Sequence, residues 1–293
     1  MTRLDSRGDA ENRKVLSLQL GLLGDTAARD YSRKLRLFNA FAAPELRQAV
    51  RCLVLRPGMN VLDAGCGSGE ALEWLADEVG EGGLVVGVDL SSAHIEAARP
   101  VASARAQLLQ ADLRTLPLRP ASFDGVWGVN TINHFHDPME VVSRLKALLR
   151  PGGRIAIGQT GFLPDMVFAW DARLERLTHE AVRRYYRERY GVDERALAAV
   201  RANAGLLRGV GLSDVLVRTF VIERLSPLGP QEHDYLLEAI FRGTWGERLR
   251  PYLEPQDYEE LGRLCDPHHA QFALTRPDFH FIQTFTVATG RLL

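Results

Sequence analysis

Lysine is nearly missing from this sequence. Only Lys14, Lys34 and Lys146 accompany the arginines, a bias we read as genomic base composition, not function. Neither sign of charge predominates: 36 Lys and Arg stand against 37 Asp and Glu, for a formal net charge of −1. Such a balance supports neither a nucleic-acid sleeve nor a polybasic membrane anchor. Cysteine is scarce as well. Cys52, Cys66 and Cys265 are odd in number, far apart and in no CxxC pair, which argues against a zinc knuckle and a disulfide framework. Long apolar runs are absent too; LSLQLGLLG is too short to span a bilayer. The polar opening MTRLDSRGDAENRK is unlike a secretory signal, so the cytoplasm is the expected location. What is present, 46% apolar and 25% charged residues over 293 positions, is the profile of a globular protein of one large or two small domains. A chain of that length can bury a substantial core unaided.

The chain alternates. Leu46, Ala49, Val50, Leu53 and Val54 repeat at helical spacing behind Pro44, and Arg56-Pro57-Gly58 ends that helix. Met59–Ala64 reads as a buried strand, and a helix with Leu72, Leu75 and Val79 on one face runs to Gly80. Gly83–Asp89 reads as a second strand, after which Ser91 or Ser92 caps a helix that Pro100 cuts short. Ala106–Asp112 and Ser122–Val129 read as strands three and four. Asp137 and Pro138 open a helix with a stripe of Val141, Val142, Leu145, Leu148 and Leu149, broken by Pro151-Gly152-Gly153 before a fifth strand, Arg154–Thr160. A helix at Ala196–Val210 and strands at Ser213–Glu223 and Phe279–Gly290 complete the pattern. The order predicts parallel βαβ units, hence an α/β doubly wound sheet with helices on both faces. We divide the chain into an N-terminal helical segment (1–58), a nucleotide-binding core (59–160, 195–223 and 279–293) and two inserts (161–194 and 224–278).

The chemistry lies in Val61–Gly69, VLDAGCGSG. A hydrophobic strand delivers Asp63 to its carboxyl end, where open α/β sheets bind ligands, and Gly65, Gly67 and Gly69 follow. Glycine turns sharply and lets a ligand approach the backbone. The dinucleotide fingerprint G-x-G-x-x-G fails here because Glu70 occupies its third glycine. A pyrophosphate is also a poor neighbour for Asp63, whereas an ammonium group is a good one. Asp89 ends the second strand at the usual place for a carboxylate that accepts from ribose hydroxyls. Asp112 ends the third; it can accept from an adenine amino group while the Leu113 N–H donates to the ring. Three acids at neighbouring strand tips suit a cationic adenosine ligand.

In order, VLDAGCGSG, VVGVDLS, QADL, FDGVWGVNTINHF and RPGGRIAI resemble the motifs of class I S-adenosylmethionine-dependent methyltransferases, in the small-molecule branch of quinone and natural-product enzymes. The likeness is strong over Val61–Ile157 and weaker beyond; the Asn-Pro-Pro-Tyr type motif of amino-methylating DNA enzymes is missing. It implies a seven-stranded Rossmann-like sheet with an antiparallel last strand, and a helical lid made by the N-terminal segment and the inserts. It also implies that Asp63, Ala64, Gly65, Gly67 and Gly69 cradle the methionine moiety, that Asp89 and Leu90 hold the ribose, and that Asp112 and Leu113 frame the adenine. Asn130 would face the sulfonium, and Tyr31 is a candidate lid contact. The cofactor would be S-adenosyl-L-methionine and its product S-adenosyl-L-homocysteine.

The implied reaction is in-line methyl transfer to a small, lipophilic or aromatic molecule through carbon, oxygen or nitrogen, with no nucleic-acid or membrane partner. A homo-oligomer is left open. Two other classes share the layout: a non-methylating S-adenosylmethionine-binding enzyme or regulator, and an NAD(P)-dependent oxidoreductase. His134, just past the fourth strand, is the candidate general base, against a reading in which it only hydrogen-bonds backbone or cofactor. His136 and Asp137 read as the next helix cap. Adjacent His268 and His269 point different ways and find no third ligand, so no metal is expected. Cys66 reads as packing. About half of the Phe, Trp and Tyr residues fall in the inserts, including Trp170, Tyr185 and Tyr186, which are candidate substrate contacts.

Overall fold

The computed structural model describes residues 26–28, 30–102, 106–160, 166–167, 171–191 and 202–293. Among the described residues eight strands form one sheet: β1 Asn60–Ala64, β2 Leu84–Asp89, β3 Ala106–Gln110, β4 Phe123–Val129, β5 Leu149–Thr160, β6 Met166–Val167, β7 Ser213–Leu225 and β8 His280–Arg291. Their order is β3-β2-β1-β4-β5-β8, with the first five parallel. β8 runs antiparallel to β5 and pairs on its other side with β7 along almost its whole length. Beyond the end of β5, the two-residue β6 pairs with Phe281 and Ile282 of β8. Seven strands were expected. The eighth lies in the first insert, where two residues leave no periodicity to read.

The helices are α1 Ser32–Phe41, α2 Ala43–Val50, α3 Glu70–Val79, α4 Ser92–Ala98, α5 Pro138–Ala147, α6 Ala172–Tyr190, α7 Asn203–Gly209, α8 Pro230–Asp234 and α9 Pro255–Cys265. α8 runs directly into a π-helical segment, Tyr235–Thr244. None of the described helices is long and apolar enough to cross a membrane.

Strand side chains alternate between faces. Val61 joins the core on the side of α2, α3 and the π-helical segment, and Leu62 and Ala64 join the core on the side of α5 and α7. Both faces of the sheet are therefore covered, as a parallel sheet requires. Asp63 shares the parity of Val61, so it emerges on the α3 side.

Several boundaries differ from the sequence reading. The helix read from Pro44 to Val54 stops at Val50; a 3₁₀ turn, Arg51–Leu53, follows, and Val54 is left-handed at φ +55°. The fifth strand begins at Leu149, not Arg154. A register shift between Phe123 and Gly125 of β4 absorbs Pro151-Gly152-Gly153 as an irregularity within β5. Leu148 caps α5 and Leu149 pairs with Phe123, so neither belongs to the helical stripe. The third strand ends at Gln110, two residues before Asp112. Of the helix read at Ala196–Val210, the described part is α7; the rest lies outside the described residues, as does most of the segment before Tyr31.

Candidate active site

The glycine loop turns the chain from β1 into α3. The N–H groups of Gly65 and Cys66 both donate to the Val88 carbonyl, at 2.7 and 2.9 Å, which hangs the loop on the end of β2. Gly67 sits at φ +53°, and a Cβ there would stand 2.8 Å from Leu35 Cδ1. A side chain there would have to displace Leu35 and take a left-handed backbone, both of which glycine avoids. The loop therefore lies against α1.

Asp89 fastens this arrangement. One carboxylate oxygen accepts from Gly67 N–H (2.9 Å), the other from Ser91 N–H (2.9 Å) and from His94 Nδ1 (3.2 Å). His94, 2% exposed, also accepts from Tyr31 N–H at its Nε2 (3.3 Å), and the Tyr31 ring meets it edge-on at 4.4 Å. A neutral imidazole with its proton on Nδ1 satisfies both bonds. Ser92 N–H donates to the Ala27 carbonyl (3.1 Å), so the segment before α1 is tied to the start of α4.

Asp63 differs from the other two acids. It is 2% exposed, and its Oδ2 is buried without a hydrogen-bond partner. Burial first, then the neighbouring charges of Asp89 and Glu70, push its carboxyl up to about 8. A buried carboxylate with an unpaired oxygen beside an open glycine loop fits the ammonium end of a ligand, which would supply the missing partner. For Asp112, burial alone would raise the carboxyl, but hydrogen bonds from Arg114 hold it below the usual range. Arg114 donates to it from its backbone at 2.8 Å and from its guanidinium at 2.6 Å.

A cavity of about 630 Å³ opens at the carboxyl ends of β1, β2 and β4. Asp63, Asp89 and Asp112 all line it, with Tyr31, Gly65, Gly67, Leu90, Leu113, Asn130 and His134. Ala64 and Gly69 do not line it. Ala64 is buried in the core beneath, and Gly69 caps α3 against Ala98. Asn130 is left-handed at φ +53°, and its Oδ1 accepts from both the N–H and the hydroxyl of Thr160 (2.9 and 3.1 Å). Its carbonyl thus ties the ends of β4 and β5 together, a role the sequence does not disclose.

His134 ends a 3₁₀ turn, Ile132–His134, at the cavity wall. Asp137 caps α5 by accepting from Glu140 N–H at 3.0 Å. The thiol of Cys66 is pushed far up, chiefly by burial, and is packing. Among the described residues no group of His, Cys, Asp and Glu could hold a metal. Tyr185 and Tyr186 line the far wall, with Arg248 over the Tyr185 ring at 5.3 Å. Trp170 lies outside the described residues. The sequence reading passed over His94, Asn133, Tyr235, Gln159 and Gln283, all on the cavity wall. A histidine five residues after a strand-end acid is a weak sign, and the other four carry none.

Strand tips, glycine loop and buried acid together define a nucleotide-binding α/β protein shaped for a cationic adenosine ligand. Comparison with known proteins makes the class specific. Residues 62–157 match the family described as "Methyltransferase domain". Nocamycin O-methyltransferase of Saccharothrix syringae is 32% identical over 233 residues, which cover 73% of this chain and 78% of that protein. The 27-O-demethylrifamycin SV methyltransferase of Amycolatopsis mediterranei is 35% identical over 118 residues, covering 39% of this chain and 43% of that one. Aligned stretches span only 44%, 43%, 59% and 39% of four curated relatives, so the chain matches about half of their length. A Bacillus halodurans protein assigned as a methyltransferase superposes with a TM-score of 0.50 at 17% identity, over 85% of this chain and 98% of its own; that likeness concerns the fold. The protein belongs to the class I S-adenosylmethionine-dependent methyltransferases, and S-adenosylmethionine is the cofactor of that family.

Proposed function

We propose that this protein transfers the methyl group of S-adenosylmethionine to an oxygen of a small, lipophilic or aromatic acceptor, releasing S-adenosylhomocysteine. The observation that carries this reading is Asp63: a buried carboxylate with an unpaired oxygen, in one cavity with Asp89 and Asp112. Relatives named for O-methylation of nocamycin and of demethylrifamycin favour oxygen as the acceptor atom.

In this reading Asp63, Gly65 and Gly67 hold the amino-acid end of the cofactor. Asp89 accepts from the ribose hydroxyls, with Leu90 beside it, while Asp112 and the Leu113 N–H frame the adenine. α1 and the two inserts act as a lid that excludes water. The cofactor supplies a methyl already activated on a sulfonium, so the protein mainly provides position. Walls that hold the acceptor oxygen about 3–3.5 Å from that methyl, in line, contribute roughly 7–11 kcal/mol. A dry cavity helps because positive charge is lost from sulfur as the bond forms. His134 takes the proton of an acceptor hydroxyl that still carries one; a phenolate needs no base.

The test is calorimetric titration with S-adenosylmethionine, S-adenosylhomocysteine and NADH, on wild type and Asp89→Ala. We expect both adenosyl ligands to saturate the wild type, NADH not to bind, and the variant to bind at least tenfold more weakly. Saturation by NADH without any response to S-adenosylmethionine would refute the reading, and an unchanged Kd in the variant would remove the ribose role.

A further inference from the structure

The second insert builds a wall of the cavity with an unusual winding. In the segment Tyr235–Thr244 the backbone bonds reach back five residues, as in the N–H of Trp245 donating to the Ile240 carbonyl at 2.8 Å. Thr244 follows the same step, its hydroxyl donating to the Ala239 carbonyl at 3.0 Å. A helix wound i to i+5 brings residues four and five apart onto one face, where an α-helix aligns those three and four apart. The cavity-lining residues of this segment are Tyr235, Ile240 and Thr244, spaced five and four. α-Helical spacing would put Glu238 and Arg242 in line with Tyr235; instead these two pair with each other. The π winding thus selects which side chains face the ligand, and π turns recur at functional sites.

Tyr235 is 4% exposed. Its ring stacks on Phe41 at 4.3 Å and meets Phe38 at 5.8 Å, so its direction is fixed. Among the described residues no group bonds its hydroxyl. A donor on a cavity wall without a partner among the described residues is placed to meet a ligand. Burial also raises the phenol far above its ordinary value, so it keeps its proton and acts as a donor. Its place is beside the helix that covers the glycine loop. Phe38 lies one turn along α1 from Leu35, the side chain packed over Gly67 of the cofactor loop. Two buried amides, Gln159 of β5 and Gln283 of β8, and the Tyr185 and Tyr186 rings line the same cavity.

We infer that Tyr235 is a specificity-determining residue of the acceptor site, whose hydroxyl donates a hydrogen bond to a carbonyl oxygen of the methyl acceptor. The acceptor class is then a planar hydroxy-carbonyl compound, such as a hydroxyquinone or an enolised diketone, with a carbonyl beside the hydroxyl to be methylated. The inference rests on the methyl-transfer reading for its site, but its test reads the phenol separately.

Two probes share a ring system: 2-hydroxy-1,4-naphthoquinone carries the carbonyls, and 2-naphthol lacks them. With protein saturated in S-adenosylhomocysteine, calorimetry should show the wild type binding the quinone at least tenfold more tightly than the naphthol. Tyr235→Phe, which keeps the stacked ring, should abolish most of that preference and leave the naphthol Kd within twofold. Its Kd for S-adenosylhomocysteine, unchanged, reports an intact fold. Equal quinone affinity in both proteins overturns the inference, as does a wild type that does not prefer the quinone. Loss of S-adenosylhomocysteine binding in Tyr235→Phe also overturns it. In that event Thr244→Val, on the same wall, separates the causes: intact cofactor binding there gives the phenol to the cofactor, and its loss gives the segment a purely structural role. If the wild type binds neither adenosyl ligand, the methyl-transfer reading fails, and the two probes titrated without cofactor still compare wild type with Tyr235→Phe.

Discussion

Asn in place of Asp63 removes a group whose ionisation burial makes costly. The folded carboxyl is pushed from 3.8 to about 8, by burial first and then by Asp89 and Glu70. Below about pH 4 the acid is protonated in both folded and unfolded chains and costs nothing. Between about 4 and 8 the folded protein keeps a proton that the unfolded chain releases. Stability of the ligand-free protein therefore falls as pH rises through that window, and the full penalty stands above it. Fully expressed, that displacement corresponds to roughly 6 kcal/mol. Relaxation and the higher effective dielectric of real interiors reduce it, and we expect about 2 kcal/mol. Asp63→Asn should accordingly melt roughly 4–8 °C higher than wild type at pH 8.5, a gain that vanishes near pH 4. Ligand binding should show the reverse. At pH 7 a carboxyl titrating at about 8 is roughly nine-tenths protonated, so capture of an ammonium group expels close to one proton. Calorimetry in buffers of different ionisation enthalpy reads that proton directly. Asp63→Asn should bind S-adenosylmethionine about 10–100-fold more weakly, with a heat independent of buffer. A variant that melts below wild type at pH 8.5, together with wild-type binding that releases no proton, would refute the reasoning.

Three further outcomes are expected. Gly69→Ala places a Cβ 2.8 Å from that of Ala98 and 3.0 Å from its Cα, at φ +92°, so denaturant titration should show a loss of about 2–4 kcal/mol. Glu45→Ala removes the bidentate partner of Arg224, which it meets at 2.9 and 3.0 Å in a largely buried fork over the Phe41 ring, and leaves the guanidinium only Glu232 at 3.8 Å and the Phe41 and Glu223 carbonyls; a loss of about 2 kcal/mol should appear as a lower Tm, and Arg224→Met with Glu45→Met should recover part of it. His134→Ala should lower kcat about 10²-fold for an alcohol acceptor, leaving the Kd for S-adenosylmethionine unchanged; full turnover of the variant on such an acceptor would end its role as base.

The core strands could be read from the chain because each is a short apolar run set off by Gly, Pro or an acid. Met59–Ala64 against the observed Asn60–Ala64 shows how closely. Boundaries slipped where two signals overlapped. Pro151-Gly152-Gly153 reads as a break, yet pairing with β4 carries β5 through it, since ladder bonds to a neighbouring strand outweigh local turn preference. β6 left no trace for want of length, and nothing in the residue pattern marked the π winding.

Sequence alone determined the order of the longer strands, the glycine loop and the three acids at or near the strand ends, for these depend on local chemistry: glycine where the backbone must turn, a carboxylate near where a strand stops. Tertiary structure alone decided what each acid experiences. Asp89 found three donors, Asp112 found Arg114, and Asp63 was sealed away with an oxygen unpaired. The choice of Tyr235 over its neighbours as a cavity wall was settled the same way. Burial and partners are set by segments far apart in the chain, and no local pattern encodes them.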